Sequence, residues 1–170
     1  MVIWLIGLSG TGKTVLGQEV VATANKNYKN TIFIDGDEIR EAFGNDLSYS
    51  MKDRLINAQR ICQLGKFLDD QGMNVVCSIL SLFPDTRQWN RENIKNYYEG
   101  YVDTPIDILI KRDSKGIYNK YLNNKITNVA GMDIEFPIPD QADLVIDNVN
   151  SKEHLLSHAK QIAKKIILQQ

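Results

Sequence analysis

Short apolar runs alternate along the chain with longer stretches whose apolar residues recur every three or four positions. This alternation predicts an α/β fold on a parallel sheet. "VIWLI" (2–6) is apolar throughout, as expected for a strand covered on both faces. "TIFID" (31–35) and "MNVVCSIL" (73–80) read as the second and third strands, "YYEGYVDT" (97–104) contains a fourth, and "DLVID" (143–147) is the fifth. Lys13–Ala24 has a helical pattern. A longer one around Asp53–Gln71 puts Ile61, Leu64, Gly65 and Leu68 on one face, with Gly72 suited to end it. "SKEHLLSHAKQIAKKIIL" closes the chain as an amphipathic helix, with Ser151 as its expected N-cap.

One stretch breaks the pattern. Lys111–Pro139 is rich in Lys, Asn and Gly and has no clean periodicity, which suits a functional or disordered segment. Beside a nucleotide site it predicts a mobile lid. With 170 residues and no repeat or linker, the chain reads as one domain able to bury a core. Hydrophobic residues make up 43%, charged residues 24%, and the net charge is −1, so bulk charge favours neither nucleic acid nor an anionic membrane as a partner. Cys62 and Cys77 sit in apolar stretches without metal-ligand spacing and read as buried thiols of a reducing compartment. "MVIWLIG" lacks the basic region and cleavage site of a signal peptide, and no apolar run reaches the ~18–20 residues of a membrane span. The expected location is the cytoplasm. His154 and His158, four apart on the last helix, read as helix-surface residues rather than a metal pair.

"GLSGTGKT" (7–14) matches G-x-x-x-x-G-K-[ST] at every fixed position. At average composition such a match arises by chance in about one chain in a hundred of this size. A buried strand before it and a helix after it are the required context. Gly7, Gly10 and Gly12 let the backbone curl so that N–H groups of the loop, including those of Ser9 and Thr11, face an anion; the following helix adds its positive end. Lys13 is expected to reach the β- and γ-phosphates, and Thr14 to ligate Mg²⁺. The motif predicts ATP and Mg²⁺ as cofactors on a P-loop NTPase fold of the nucleotide-kinase type.

A GTPase would need N-K-x-D, and "NKNY" (25–28) is not one. At the end of the second strand stands instead "IDGDEIR" (34–40), where carboxylates face the ligand crevice of a parallel sheet. In an extended segment Asp35 and Asp37 would share a side. One would help hold hydrated Mg²⁺ and the other orient or deprotonate an attacking hydroxyl. An exposed D-G turn is the plainer alternative. Arg54, Asn57 and Arg60 occupy a helix sector of about 120°, with Arg40 before it. They form either a solvated face or a clamp for an anionic acceptor.

In order, "VIWLIGLSGTGKT", "DGDEIR", "DLSYSMKDRLINAQR", "VDTPIDILIKRDSKGIYNK" and "NVAGMDIEFPIP" resemble adenylylsulfate (APS) kinases from Val2 to about Asp147. The RDSKGIY segment and the DR-x-x-N helix are the specific parts. The resemblance implies a phosphotransferase that moves the γ-phosphate of ATP to a ribose 3′-hydroxyl on a nucleotide acceptor. It implies that Asp37 is the base or hydroxyl-orienting group and that Arg40, Arg54 and Asn57 contact the acceptor, with Asp35, Tyr49, Ile79, Leu80 and Val129 around it. Lys115 would reach the phosphates from the lid. Ser81 matches a serine described as a phosphorylated intermediate, although direct in-line transfer needs only positioning and charge stabilisation. The family often forms dimers, so a homodimer is the implied assembly.

The departures concern the acceptor. The family's F-T-G-[IV]-D is "VAGMD" here, with Val129 and Ala130 in place of an aromatic ring and a hydroxyl. Its S-F-I-S-P-[YF]-R has become "SILSLFP", with Leu82 for proline and Pro84 for arginine, and Gln59 replaces the first of two paired arginines. Tyr49 stands where a phenylalanine is usual. Losing one side of an aromatic sandwich forfeits about 1–3 kcal/mol of base stacking. This pattern resembles the cytidine diphosphoramidate kinases of capsule O-methyl phosphoramidate synthesis, whose CDP-type acceptor presents a smaller base. The ordinary APS kinase is the alternative. A sugar or shikimate-type kinase and a non-catalytic ATP-binding regulatory domain are readings of other classes.

Overall fold

The structure is a computed structural model that describes residues 1–26 and 29–168, so the end of the "NKNY" stretch and the last two residues lie outside the described residues. The strands are β1 (Val2–Ile6), β2 (Thr31–Asp35), β3 (Asn74–Ile79), β4 (Tyr97–Asp103) and β5 (Leu144–Asp147). The helices are α1 (Lys13–Ala24), α2 (Gly36–Ala42), α3 (Met51–Asp70), α4 (Pro84–Asn93), α5 (Ile106–Arg112), α6 (Ile117–Leu122) and α7 (Lys152–Ile167). The strands form one parallel sheet in the order β2-β3-β1-β4-β5. Every residue of central β1 is buried. Successive side chains on a strand point to opposite faces. Ile3 and Leu5 accordingly join Val76, Leu16 and Val20 of one core layer, closed by Ile162 and Ile166 of α7. Trp4 and Ile6 join Cys77, Ile34 and Ile61 of the other.

The expected five strands and three long helices are present, with ends shifted by one or two residues. The Ser50 side chain accepts from the Asp53 N–H and starts α3 at Met51, two residues before the expected Asp53. Gly72, at φ 78°, donates its N–H to the Asp69 carbonyl and ends that helix turn. Cys62 and Cys77 are buried free thiols; burial pushes Cys62 up to about 12 and raises Cys77 as well. Among the described residues no helix is long and apolar enough to cross a membrane.

Two expectations need correction. Asp35 and Asp37 do not share an extended segment: Asp35 ends β2 and caps α2, and Asp37 lies in that helix's first turn. The chain turns there because the Asp35 carboxylate accepts the Asp37 N–H at 2.9 Å. The stretch 111–139 has a buried face after all. Tyr118 of α6 and Val129 pack with Leu109 of α5, with Ile117, Tyr121 and Ile126 alongside. A helix of six residues such as α6 is too short to display a period, which hid the packing.

Candidate active site

β1 delivers the chain to the P-loop at the sheet's C-terminal edge, between β3 and β4. Gly12 precedes α1 at φ 89°, a left-handed conformation that favours glycine, and a Cβ there would also have to displace the Leu155 Cδ2 methyl, at 2.5 Å. Within the loop the Leu8 carbonyl accepts from the Thr11 hydroxyl at 3.0 Å and from Lys13 Nζ at 2.7 Å. Enclosure of the Lys13 ammonium lowers its pKa to about 8; Asp35 opposes this, while Lys115 adds to it.

Behind Lys13 the polar groups form a chain. Thr14 Oγ1 donates to Asp35 Oδ2 at 2.9 Å and lies 3.4 Å from the Ser78 hydroxyl. The other Asp35 oxygen is the α2 cap already described. Asp37 faces outward and pairs through Oδ2 with Lys115 Nζ at 3.1 Å, so the segment 111–139 reaches across to the DGD turn. Partial burial pulls the Lys115 pKa down, but the hydrogen bond and charge of Asp37, helped by Asp35, raise it overall.

The far wall comes from α2 and α3. Buried Arg40 donates to the Ser48 carbonyl at 3.2 Å. Arg54 donates to the Tyr49 carbonyl at 2.9 Å and to the Asn128 carbonyl at 2.8 Å. Both guanidinium carbons lie over the Tyr49 ring, 4.8 and 5.3 Å from its centre. Burial and then the neighbouring Arg40 cation lower the Arg54 pKa. Asn57 is 4% exposed; its amide donates to the Gly36 carbonyl at 3.3 Å, but its Oδ1 is buried with no protein partner. An unpartnered buried acceptor is costly, and Asn57 is among the residues of the cleft wall.

Together these groups enclose a cleft of about 620 Å³, ample for a mononucleotide beside a phosphate site. Ser9, Gly10, Gly12, Lys13 and Thr14 line one end; Asp35, Asp37, Arg40, Tyr49, Arg54, Asn57, Ile79, Leu80, Ser81, Lys115 and Val129 line the rest. Gly7 and Thr11 lie behind the wall instead. A Cβ on Gly7 would meet the Val102 carbonyl at 2.6 Å, and Thr11 is 1% exposed. Ser81 is 3% exposed at φ 59°, its hydroxyl accepts from the Trp4 indole at 3.3 Å, and its carbonyl accepts from Arg87. Arg60 leaves the cluster drawn from helix spacing: it is bidentate to Asp46 and stacks on Phe43. The rings of His154 and His158 meet edge-on at 5.3 Å on α7, and no cluster of three metal-binding side chains is present among the described residues.

Sequence reasoning missed four contributors. Ser78 was legible as a lone hydroxyl at the end of an apolar strand. Phe83 was visible only as part of an altered motif. Tyr118 closes the RDSKGIY segment but was given no role there, and Asn148 carried no local signal; Tyr118 donates to the Ser9 carbonyl and Asn148 to the Thr11 carbonyl, both at 2.8 Å.

The sequence profile of the adenylylsulphate kinase family matches residues 1–147. A cytidine diphosphoramidate kinase from Campylobacter jejuni subsp. jejuni serotype O:2 is 44% identical over 98% of this chain and 96% of its own. An adenylyl-sulfate kinase from Pseudomonas aeruginosa is 35% identical over 91% of this chain and 80% of its own. A solved APS kinase from Mycobacterium tuberculosis, in complex with AMPPNP and APS, superposes with a TM-score of 0.88 at 27% identity, covering 98% of this chain and 96% of that one.

Proposed function

Because the chain belongs to the adenylylsulphate kinase family, we propose that it transfers the γ-phosphate of ATP to the ribose 3′-hydroxyl of cytidine diphosphoramidate. It is a kinase of the APS-kinase type, a phosphotransferase with an alcohol acceptor. Residues 1–170 act as a single kinase domain, with 111–139 as the lid. It works in the cytoplasm, in capsule phosphoramidate synthesis.

The P-loop N–H groups and Lys13 hold the triphosphate, which places the γ-phosphorus in front of the DGD turn. Thr14 and Asp35 fit Mg²⁺: a hydroxyl and a carboxylate oxygen already 2.9 Å apart suit an ion that takes few protein ligands and keeps its waters. When bound, the ion neutralises charge on the β- and γ-phosphates. Asp37 orients the 3′-hydroxyl and takes its proton as the new O–P bond forms and the bond to the bridging oxygen of ADP breaks. Lys115, now 3.1 Å from Asp37, turns toward the transferring phosphoryl group, which leaves Asp37 free to meet the acceptor. Arg40, Arg54 and Asn57 bind the acceptor. Ser81, turned toward Trp4, serves as wall rather than as a phosphorylated intermediate.

The Lys13 pKa gives this reading a pH dependence. Only its charged form attracts phosphate, so AMPPNP affinity should fall as pH rises through about 8, by up to about tenfold per unit. Stability has the opposite sign. The folded pKa lies below the unfolded value of 10.5, so the unfolded chain holds the extra proton from about pH 8 to 10.5, and this residue's contribution to stability rises across that window. Titration calorimetry and thermal melts of the parent and Lys13→Met check both slopes, which the variant should lose. Equal AMPPNP affinity for the parent at pH 7 and pH 9 (roughly one unit either side of 8) would show that Lys13 keeps its charge across this range, and equal affinity of Lys13→Met and the parent at pH 7 would show Lys13 uninvolved.

One observation carries the choice of acceptor: the lid residues on the cleft wall are Val129 and Ala130, buried to 5% and 7% exposure, where the family carries an aromatic ring and a hydroxyl. The 44% identical relative supports the same choice. Kinetics with ATP and Mg²⁺ should give a kcat/KM for cytidine diphosphoramidate at least tenfold above that for APS, about 1.4 kcal/mol of transition-state discrimination, with the phosphate on the 3′-oxygen. The APS reading rests on Tyr49 bracketed by Arg40 and Arg54, a cationic aromatic platform sufficient for adenine and sulfate. A higher kcat/KM for APS would establish it instead.

A further inference from the structure

We propose that Asn148 and Tyr118 are positioning residues that set the P-loop's phosphate-facing N–H groups. This rests on the nucleotide-cradle half of the functional reading and is independent of which acceptor is used. A trans peptide is planar, with its C=O and N–H pointing in opposite directions, and no cis peptide is present among the described residues. Whatever holds the carbonyl therefore aims the N–H of the next residue. Asn148 Nδ2 donates to the Thr11 carbonyl at 2.8 Å, which turns the Gly12 N–H away from Asn148. Tyr118 donates its hydroxyl to the Ser9 carbonyl at 2.8 Å, which turns the Gly10 N–H away from the tyrosine. Gly10 and Gly12 line the cleft.

Both clamps are built to hold. Asn148 is 4% exposed and Tyr118 is 2% exposed, so water cannot readily replace either donor. The Asn148 backbone is itself fixed by its N–H to the Asp103 carbonyl at the end of β4, at 2.8 Å. The Tyr118 backbone N–H donates to Asp113 Oδ1 at 3.1 Å. The loop needs such help because Gly10 and Gly12, at φ 82° and 89°, have no side chains to resist a peptide flip. A flipped peptide would present a carbonyl oxygen to the phosphate in place of a donor. The clamps come from distant parts of the chain, one following the last strand and one from the first helix of the lid segment, so the phosphate cradle is completed by tertiary structure.

The test uses the intact chain, ¹⁵N-labelled, with AMPPNP and Mg²⁺ as the probe and no acceptor. Tyr118→Phe removes only the hydroxyl and keeps the ring in its cluster. Asn148→Asp keeps the shape and replaces the donor with an acceptor. Each should weaken AMPPNP binding about fivefold or more, with melting temperature close to the parent's for Tyr118→Phe. The spectra should separate the clamps: the AMPPNP-induced shift of the Gly10 N–H shrinks in Tyr118→Phe, and that of Gly12 shrinks in Asn148→Asp. A general loss of packing would not produce that cross-pattern. If Asn148→Asp does not fold, Tyr118→Phe and the Gly10 signal decide alone. Variants that bind within twofold of a competent parent, with both glycine shifts intact, would overturn the positioning role. A parent that fails to bind AMPPNP would overturn the nucleotide reading with it.

Discussion

Lys13→Ala is expected to lower phosphoryl transfer about a thousandfold or more while leaving the chain folded. The ammonium belongs to no apolar cluster, and its hydrogen bonds are to the Leu8 carbonyl and the Thr11 hydroxyl within the same loop. The Leu8 carbonyl would keep the Thr11 hydroxyl as donor, so the loop loses little of its own structure. What is lost is a fixed cation beside the transferring group, in a site where burial already lowers the pKa to about 8. Removing one preorganised electrostatic contact of this kind costs roughly 10²–10³ in turnover, and the triphosphate is also held less tightly. The measurement is kcat and kcat/KM with saturating Mg²⁺, beside a thermal melt. Turnover within tenfold of the parent in a folded variant would mean that this loop is not the phosphate cradle of the reaction.

Asp37→Asn is expected to reduce kcat by about 10²–10⁴, the range for loss of a positioned general base, with AMPPNP binding unchanged or tighter. The asymmetry follows from the Asp37–Lys115 pair at 3.1 Å. On the proposed mechanism, neutralising Asp37 removes the group that meets the acceptor hydroxyl, and it also releases the Lys115 cation from its pair. A loss confined to kcat marks an interaction made with the acceptor in the transition state. Asp35→Asn should behave differently. Its carboxylate caps α2 and accepts from Thr14, so the variant should need more Mg²⁺ and should melt earlier. Should Asp37→Asn keep most of its kcat, the base belongs elsewhere in the cleft.

The two carboxylates also show how sequence and structure divide the information. Their position after a strand was legible, because "TIFID" is apolar up to the residue that meets the crevice. Their separation of roles was not. A D-G pair reads as a turn, and only the hydrogen bond from the Asp37 N–H to Asp35 shows that a helix begins there. Arg60 is the converse case. Helix spacing grouped it with Arg54 and Asn57, but Asp46, fourteen residues earlier, draws its guanidinium away. The short helices α5 and α6, of seven and six residues, span too few turns for a period to stand out among Lys and Asn. Their burial became visible only when Leu109, Tyr118 and Val129 were seen in one cluster.

By itself the sequence determined the parallel α/β sheet, the P-loop between its first strand and first helix, the family, and the charged and hydrogen-bonding residues at the centre of the cleft wall. It could do so because burial on both faces of a strand, helical spacing and the glycines of an anion-binding turn are local constraints, written in consecutive residues. Tertiary structure alone decided which groups meet: Lys115 with Asp37, Arg54 with the Asn128 carbonyl, Tyr118 and Asn148 with the loop carbonyls. These contacts join residues 74 to 137 positions apart. They depend on where packing brings separate elements, and a hydrogen bond between distant residues leaves no periodicity in either segment.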